Sequence, residues 1–195
     1  MRIISGTHKG RSFFPPSNLP VRPTTDFGKE ALFNILSNRI DFEQTTALDL
    51  FAGSGNITYE LCSRGCPAVT AVDMNFHCIK YMQATVESFK FQGVKVVKSE
   101  VYKYLKQCTS QYTLIIADPP YSDAETLNLP TLVFSQNILS KGGLLIVEHP
   151  ASLEFTNTPH FLEKRNYSKV NFSIFQDNSN HLHDNTHLVE GNSNP

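Results

Sequence analysis

The sequence contains no tryptophan, and it lacks any long run of apolar residues. Because no stretch approaches about 18 consecutive apolar residues, it offers no candidate transmembrane helix. Residues 1–6 show no apolar segment of the kind found in secretory signals. The four cysteines form no Cys-x-x-Cys pair and have no neighbouring histidines at metal-site spacing. We therefore expect a cytoplasmic protein with free thiols, no membrane contact and no metal site.

A strong charge of either sign is absent as well, since the formal net charge of the 195 residues is −1. This balance argues against a protein that coats nucleic acid non-specifically, but it allows a local basic patch. Residues 1–40 carry a net charge of +4, whereas residues 176–195 contain no lysine or arginine. We predict a hairpin-and-helix extension over residues 1–40, a main domain over 41–175 and a disordered polar tail over 176–195.

The remaining chain alternates apolar strand-like runs with amphipathic helical runs. Such alternation predicts an α/β fold, a Rossmann-like, doubly wound and mostly parallel sheet with an N-terminal β-hairpin extension. In the extension we expect Lys9 and Arg11 near the hairpin tip and a helix from about Thr25, capped by Thr24, Thr25 or Asp26. The predicted strands are 46–51, 68–73, 94–97, 112–117, 143–148 and 167–175, and the predicted helices are 57–64, 75–89, 101–107 and 127–138.

A glycine-containing turn, Asp49-Leu-Phe-Ala-Gly53-Ser-Gly55, lies where the first strand should give way to a helix. Glycines allow a tight turn and close approach to a ligand, and the next helix presents its N-terminal amides there. A tight turn without a ligand is the other interpretation. A dinucleotide pyrophosphate site is disfavoured, because Tyr59 or Glu60 stands where the third glycine of that fingerprint would be.

Two further features follow the predicted strands. Asp73 ends the second strand, 20 residues beyond Gly53, where a carboxylate can accept both hydroxyls of an adenosine ribose; a strand-end Asp without a ligand is the alternative. Asp118-Pro-Pro-Tyr121 follows the fourth strand, and its two prolines fix a rigid turn at the carboxyl edge of the sheet. Asp118 and the Pro119 carbonyl are acceptors beside the Tyr121 ring, which suits a planar base with an exocyclic amine. A plain Pro-Pro turn with a packing tyrosine is the alternative.

These motifs resemble those of S-adenosylmethionine-dependent amino-methyltransferases that act on nucleic-acid bases. More narrowly, residues 1–175 are similar to the RsmD family, the 16S rRNA (guanine(966)-N(2))-methyltransferases. The matching segments, in chain order, are Met1-Arg-Ile-Ile-Ser-Gly6, Lys9-Gly-Arg11, Arg22-Pro-Thr-Thr-Asp26, Glu30-Ala-Leu-Phe-Asn-Ile-Leu36, Leu48-Asp-Leu-Phe-Ala-Gly-Ser-Gly55, Ser63-Arg-Gly65, Asp118-Pro-Pro-Tyr121, Gly142-Gly-Leu144 and Val147-Glu-His149.

The resemblance implies transfer of a methyl group from S-adenosylmethionine to the N2 amine of a guanine in 16S rRNA, either naked or in an assembled small-subunit particle. It implies that Asp118, Pro119, Pro120 and Tyr121 are catalytic. The implied cofactor-binding residues are Asp49, Phe51, Gly53, Ser54, Gly55, Asp73, Met74, Glu100 and Val101, where Glu100 stands at a position more often occupied by Asp. The implied RNA-binding residues are Arg2, Lys9, Arg11, Arg22, Thr24 and Lys29.

Two rival functions stay open on the sequence. The same site could act on another amine, either adenine N6 in DNA or RNA or a protein glutamine. Alternatively, the chain could be a non-catalytic RNA-binding assembly protein that kept the fold, although the intact Asp118-Pro-Pro-Tyr121 tetrapeptide argues against that. The sequence indicates no dimer interface, so we expect a monomer by default.

Overall fold

The computed structural model describes residues 1–17, 19, 26–167 and 170–177. Five α-helices and seven strands alternate along most of this range, with short 3-10 helices at Phe42–Gln44 and Thr126–Asn128. The helices are α1 (Asp26–Ser37), α2 (Asn56–Ser63), α3 (Phe76–Phe89), α4 (Val101–Gln107) and α5 (Leu129–Ser135). The strands are β1 (Thr46–Leu50), β2 (Ala68–Asp73), β3 (Val94–Lys98), β4 (Tyr112–Ala117), β5 (Leu139–His149), β6 (Phe161–Tyr167) and β7 (Val170–Gln176).

All seven strands form one sheet in the order β3-β2-β1-β4-β5-β7-β6. The first five neighbours in this order are parallel, and β7 then runs antiparallel to both β5 and β6. The order reverses direction at β1, as helical crossovers wind first to one side and then to the other. The predicted doubly wound, mostly parallel α/β sheet is confirmed.

The sheet is covered on both faces because its central strands are apolar at successive positions. Leu48 and Leu50 of β1 pack on the face covered by α4 and α5. Ala47, on the opposite face, packs in the cluster that holds Leu36 of α1 and Leu61 of α2. Helix α1 is therefore part of the layer that covers the sheet. Within the described residues, no helix is both long and apolar enough to cross a bilayer.

The end of the chain departs from the prediction of one final strand over residues 167–175. Two antiparallel strands, β6 and β7, form a hairpin there. Strand β6 was not predicted, because it is an edge strand rich in charged residues and lacks an apolar pattern. Its Glu163 contacts Arg39 and Arg165. The predicted helix 127–138 is also shorter, since it begins as a 3-10 turn and ends at Ser135, and β5 already begins at Leu139.

The N-terminal segment forms an antiparallel hairpin, as predicted, but an irregular one without a regular two-stranded ladder. A single antiparallel bridge joins Arg2 and Ser12, and the N–H of Ile3 donates to the Arg11 carbonyl at 2.9 Å. Gly6 has a φ of +81°, and a Cβ there would lie 1.7 Å from the Ser63 carbonyl oxygen, so only glycine lets the loop approach α2 this closely. Lys9 lies in the turn as predicted, whereas Arg11 lies on the returning limb. The proposed helix caps Thr24 and Thr25 and the Asp26 side chain lie outside the described residues, as does the tail beyond residue 177.

Candidate active site

A cavity of about 670 Å³ runs along the carboxyl edge of the sheet. Ligands of open α/β sheets bind at this edge, and the volume falls within the range of about 300–1,000 Å³ of small-molecule sites. Neighbouring strands lie about 4.8 Å apart, so the five spacings from β3 to β7 give the cavity a length of roughly 24 Å across the sheet. In their order across the sheet, the strand ends contribute Glu100, Asp73, Phe51, Asp118, Glu148 and Val170 to this lining.

The turn after β1 forms the floor of the cavity near its middle. Gly53 and Ser54 line it, and Phe51 and Gly53 both have positive φ angles, of 61° and 55°. Gly55 was predicted to admit a ligand, but it is not among the residues that line the cavity. A Cβ at Gly55 would lie 2.6 Å from the buried Tyr59 ring, so this glycine makes room for a core side chain instead.

Asp73 joins the end of β2 to the glycine turn. Its Oδ2 accepts the N–H of Gly53 at 2.8 Å, and its Oδ1 accepts the N–H of Asn75 at 2.8 Å. The side chain also lines the cavity. Since a carboxylate has about four acceptor positions, two backbone amides leave capacity for two ligand hydroxyls. The ribose contact itself stays a prediction.

The end of the cavity near β3 is built by the first turn of α4. The Glu100 carboxylate caps this helix, accepting the N–H of Tyr102 at 2.8 Å and of Lys103 at 2.7 Å. The buried Val101 and the exposed Met74 add apolar surface to the cavity lining there. This end therefore combines apolar surface with the acceptor oxygens of Glu100, a combination that suits a purine base.

Asp49 lies buried beneath the middle of the cavity. The hydroxyl of Thr58 donates to its Oδ2 at 2.5 Å. Burial raises the pKa of Asp49 to about 7; the Thr58 hydrogen bond opposes this shift, and the neighbouring carboxylates of Asp118 and Asp73 add to it. Asp49 therefore changes charge near neutral pH, beside a cavity whose lining also includes the carboxylates of Asp73, Glu100, Asp118, Asp123 and Glu148.

The predicted tetrapeptide contributes all four of its residues to the cavity lining: Asp118, Pro119, Pro120 and Tyr121. Pro119 is buried and the Tyr121 side chain is exposed. The turn is closed by the N–H of Asp123, which donates to the Pro120 carbonyl at 2.8 Å. Two prolines and this hydrogen bond hold the loop in one conformation.

Asp123 is a site residue that sequence reasoning missed. Its carboxylate accepts the hydroxyls of Tyr102 and of Thr126, which ties the loop after β4 to α4. Burial, and then the hydrogen bond to Asp123, raise the pKa of Tyr102. No spacing rule relates Tyr102 to Asp123, because the sheet alone brings the two loops together. Gly28, Asn56, Asn75, Cys78, Tyr102, Glu148 and Val170 also line the cavity without having been predicted as site residues.

Lys29 was predicted to bind RNA phosphates, and this is wrong, because its side chain is completely buried. Its Nζ donates to the Arg2 carbonyl at 2.5 Å and to Asn56 Oδ1 at 2.8 Å, and it lies 3.7 Å from Glu60 Oε2. The apolar face of α1 packs on the sheet, which turns Lys29 inward. There it links the N-terminal segment to the helix after the glycine turn.

Three other predicted RNA-binding residues, Arg2, Lys9 and Arg11, are exposed. The Arg11 guanidinium carbon lies 3.8 Å from the centroid of the Phe89 ring, and Arg2 lies 3.9 Å from Glu30. Their role in RNA binding stays a prediction. Arg22 and Thr24 lie outside the described residues. All four cysteines are free thiols, as the sequence indicated.

The fold is that of Rossmann-like, S-adenosylmethionine-dependent methyltransferases. A family model described as "Conserved hypothetical protein 95" matches residues 1–176. The chain therefore belongs to this family, the RsmD family, which confirms the resemblance that its motifs carry.

Individual relatives agree with this membership. The chain is 31% identical over 183 residues to the "Putative rRNA methyltransferase YlbH" of Bacillus subtilis, covering 90% of this chain and 98% of that protein. It is 33% identical over 132 residues to "Ribosomal RNA small subunit methyltransferase D" of Escherichia coli, covering 66% of each. The solved structure titled "Putative methyltransferase yhhF from Escherichia coli" superposes with a TM-score of 0.78 at 26% identity, over 91% of this chain and 97% of that one.

Proposed function

We propose that this protein is an rRNA methyltransferase that uses S-adenosylmethionine to methylate the exocyclic N2 amine of a guanine in 16S rRNA. The observation that carries the proposal is the continuous cavity. Asp73 and Glu100 line it near β2 and β3, and Asp118 and Tyr121 line it farther across the sheet, after β4. A cavity that crosses six strand ends has room for a nucleoside cofactor and a target base side by side.

The residues near β1, β2 and β3 fit S-adenosylmethionine. Asp73 has acceptor capacity for a ribose, Val101 and Met74 offer apolar surface to an adenine, and Gly53 lets a ligand approach the turn closely. Asp49 is placed to attract a cationic ligand when it is ionised. When bound, the cofactor supplies an activated methyl group.

The residues after β4 act on the base. Asp118 and the Pro119 carbonyl accept the two hydrogens of the N2 amine, which localises its conjugated lone pair on the nitrogen. Tyr121 stacks on the base, a contact worth about 1–3 kcal/mol in single-stranded nucleic-acid recognition. The proton that N2 loses on methylation passes to Asp118. The target base must leave its stack to enter the cavity, which favours an unpaired loop nucleotide.

The exposed cations of the N-terminal segment position the RNA. Arg2, Lys9 and Arg11 contact phosphates in this account, and such contacts fix the register of the RNA but carry no base identity. The substrate is 16S rRNA or an assembled small-subunit particle, and the protein acts as a monomer in the cytoplasm.

The test compares nucleosides of 16S rRNA from a strain that lacks the gene, from the same strain with the wild-type gene restored, and from one with Asp118→Ala. We expect N2-methylguanosine to be lost at one position, to return with the wild-type gene and to stay absent with the variant. Loss of an N6-methyladenosine from these nucleosides, or of a methylated glutamine in a parallel digest of the cell's proteins, would instead contradict the base assignment. An unchanged set of modifications, together with no cofactor binding in calorimetry, would identify a non-catalytic protein.

A further inference from the structure

Glu148 lines the same cavity as Asp118, and the roles proposed above for cofactor binding and proton transfer leave it unassigned. It lies near the carboxyl end of β5, and only 9% of the residue is exposed. Strands β4 and β5 run parallel, and their last register pair joins Ala117 to Val147. Asp118 and Glu148 each follow this pair directly, so their Cα atoms are neighbours across the two strands, about 4.8 Å apart.

The two carboxylates also share a face of the sheet. Side chains alternate between faces along a strand, so Asp118 and Glu148 project on the same side as Ile116 and Ile146. Those two isoleucines belong to the core cluster beneath α1. Gly28, in the first turn of α1, also lines the cavity. The substrate end of the cavity is therefore a slot between α1 and two adjacent carboxylates.

A carboxylate in such a slot distinguishes bases by their hydrogen-bonding edges. An ionised carboxylate is only an acceptor. Guanine presents N1–H beside its N2 amine, so this edge is a continuous row of donors. Adenine and cytosine present an unprotonated ring nitrogen beside their amines, and this acceptor would face the carboxylate. A buried acceptor that meets another acceptor loses its hydrogen bond and keeps the full cost of desolvation.

We propose that Glu148 accepts the N1–H of the target guanine while Asp118 accepts from its N2 amine. Glu148 thereby determines that the methylated amine belongs to guanine and not to adenine. This inference rests on the proposed function and adds the residue that specifies the base. It also gives a physical reason for guanine, which the tetrapeptide alone does not, because an amine held by Asp118 and Pro119 could belong to either purine.

The test uses 16S rRNA, both free and assembled into small-subunit particles, with either guanine or 2-aminopurine at the methylated position. 2-Aminopurine keeps the N2 amine but has an acceptor at N1. We expect the kcat/KM of the wild-type enzyme to be about 5-fold to 150-fold higher on guanine than on 2-aminopurine. This range is roughly the discrimination that one good base contact provides. In Glu148→Gln the side-chain amide can donate to N1 of 2-aminopurine, so the preference should fall by a similar factor.

Glu43→Gln serves as the matched control, because Glu43 is exposed and precedes β1, at the edge of the sheet away from the cavity. It should keep the wild-type preference. Calorimetry with S-adenosylmethionine and a thermal melt establish that Glu148→Gln is folded and retains the cofactor site.

An unchanged preference in Glu148→Gln overturns the inference, and so does an equal loss of activity on both bases. If the variant fails to fold, the wild-type comparison still decides, because equal rates on guanine and 2-aminopurine overturn the N1–H contact. Failure of the proposed function looks different. In that case the wild-type enzyme methylates neither RNA, and both proposals fall together.

Discussion

The carboxylate of Asp73 accepts the backbone N–H of Gly53 at 2.8 Å, across twenty residues of sequence. This single bond joins the turn after β1 to the end of β2, the two pieces that form the centre of the cavity. The spacing of the two residues was visible in the sequence, but the direct bond between them was not. Asp73 therefore shapes the glycine turn as well as lining the cavity.

Replacing Asp73 with alanine should weaken S-adenosylmethionine binding by about 1.5–3 kcal/mol, as expected for a lost hydrogen bond to a charged group. Isothermal titration calorimetry measures the change directly. Asp41→Ala is the matched control, since Asp41 caps the 3-10 helix before β1 and lies outside the cavity lining. Equal affinities for the wild-type protein and Asp73→Ala would remove Asp73 from the cofactor site.

Cofactor binding should tighten as pH rises from 6 to 8. The folded-state pKa of Asp49 is raised to about 7, so the group is largely protonated at the lower pH and ionised at the higher one. A cationic ligand favours the ionised form, which is why affinity follows the deprotonation of Asp49. Asp49→Asn should flatten this dependence, and titrations at several pH values would show it. A pH profile that is identical in the variant would contradict the assignment.

The same raised pKa fixes a pH dependence of stability. Between the ordinary value of 3.8 and about 7, the folded state holds a proton that the unfolded state has released, so this group's contribution to stability falls as pH rises through that window. In Asp49→Asn, the unfolding free energy should therefore decline less between about pH 4 and pH 7 than it does in the wild-type protein.

Lys29→Met should destabilise the fold, because it removes a buried cation from Glu60, Asn56 and the Arg2 carbonyl. Breaking a buried pair costs about 3–5 kcal/mol, and the low end applies because Arg64 still contacts Glu60. Urea unfolding measures the loss. Lys9→Met, at an exposed position, should change stability by less than about 0.5 kcal/mol. Equal unfolding free energies for the two variants would contradict the buried role.

Neutralising Lys9 and Arg11 together should weaken RNA binding and reduce the magnitude of its salt slope by roughly 1–2. Both side chains are exposed on the N-terminal segment, away from the cavity lining, so cofactor affinity should not change. Filter binding at several salt concentrations provides the slope. If affinity and slope both match those of the wild-type protein, the segment serves packing alone.

The parallel sheet was predictable because its strands are apolar at successive positions and alternate with helices, as β1, β2 and β4 show. Strand β6 was not, since Glu163, Lys164 and Arg165 give it the composition of an exposed loop. Its pairing depends on β7, which the sequence does reveal. Edge strands of this kind take their structure from a neighbour rather than from their own pattern.

The candidate site likewise contains residues that the sequence predicts and residues that it does not. Asp73 and Asp118 were predictable because carboxyl ends of parallel strands meet at one edge. The burial of Lys29 was not, because Glu60, which compensates its charge, lies 31 residues away and is brought near only by the packing of α1 against α2. Glu148 appeared only within a matching motif. Its place after the fifth strand was the signal that could have assigned it to the cavity.

The role of Asp118 and Tyr121 is the centre of the account. Single-turnover methylation at saturating cofactor tests it most directly, in Asp118→Ala, Tyr121→Phe and Tyr121→Ala. We predict that Asp118→Ala lowers the rate about 10²–10⁴-fold, the range of general-base and orienting groups, while cofactor affinity holds. Tyr121→Phe keeps the stacking ring and should be mild, whereas Tyr121→Ala should lose RNA affinity and rate together. A near-normal rate for Asp118→Ala, or a Tyr121→Phe enzyme as inactive as Tyr121→Ala, would contradict the account.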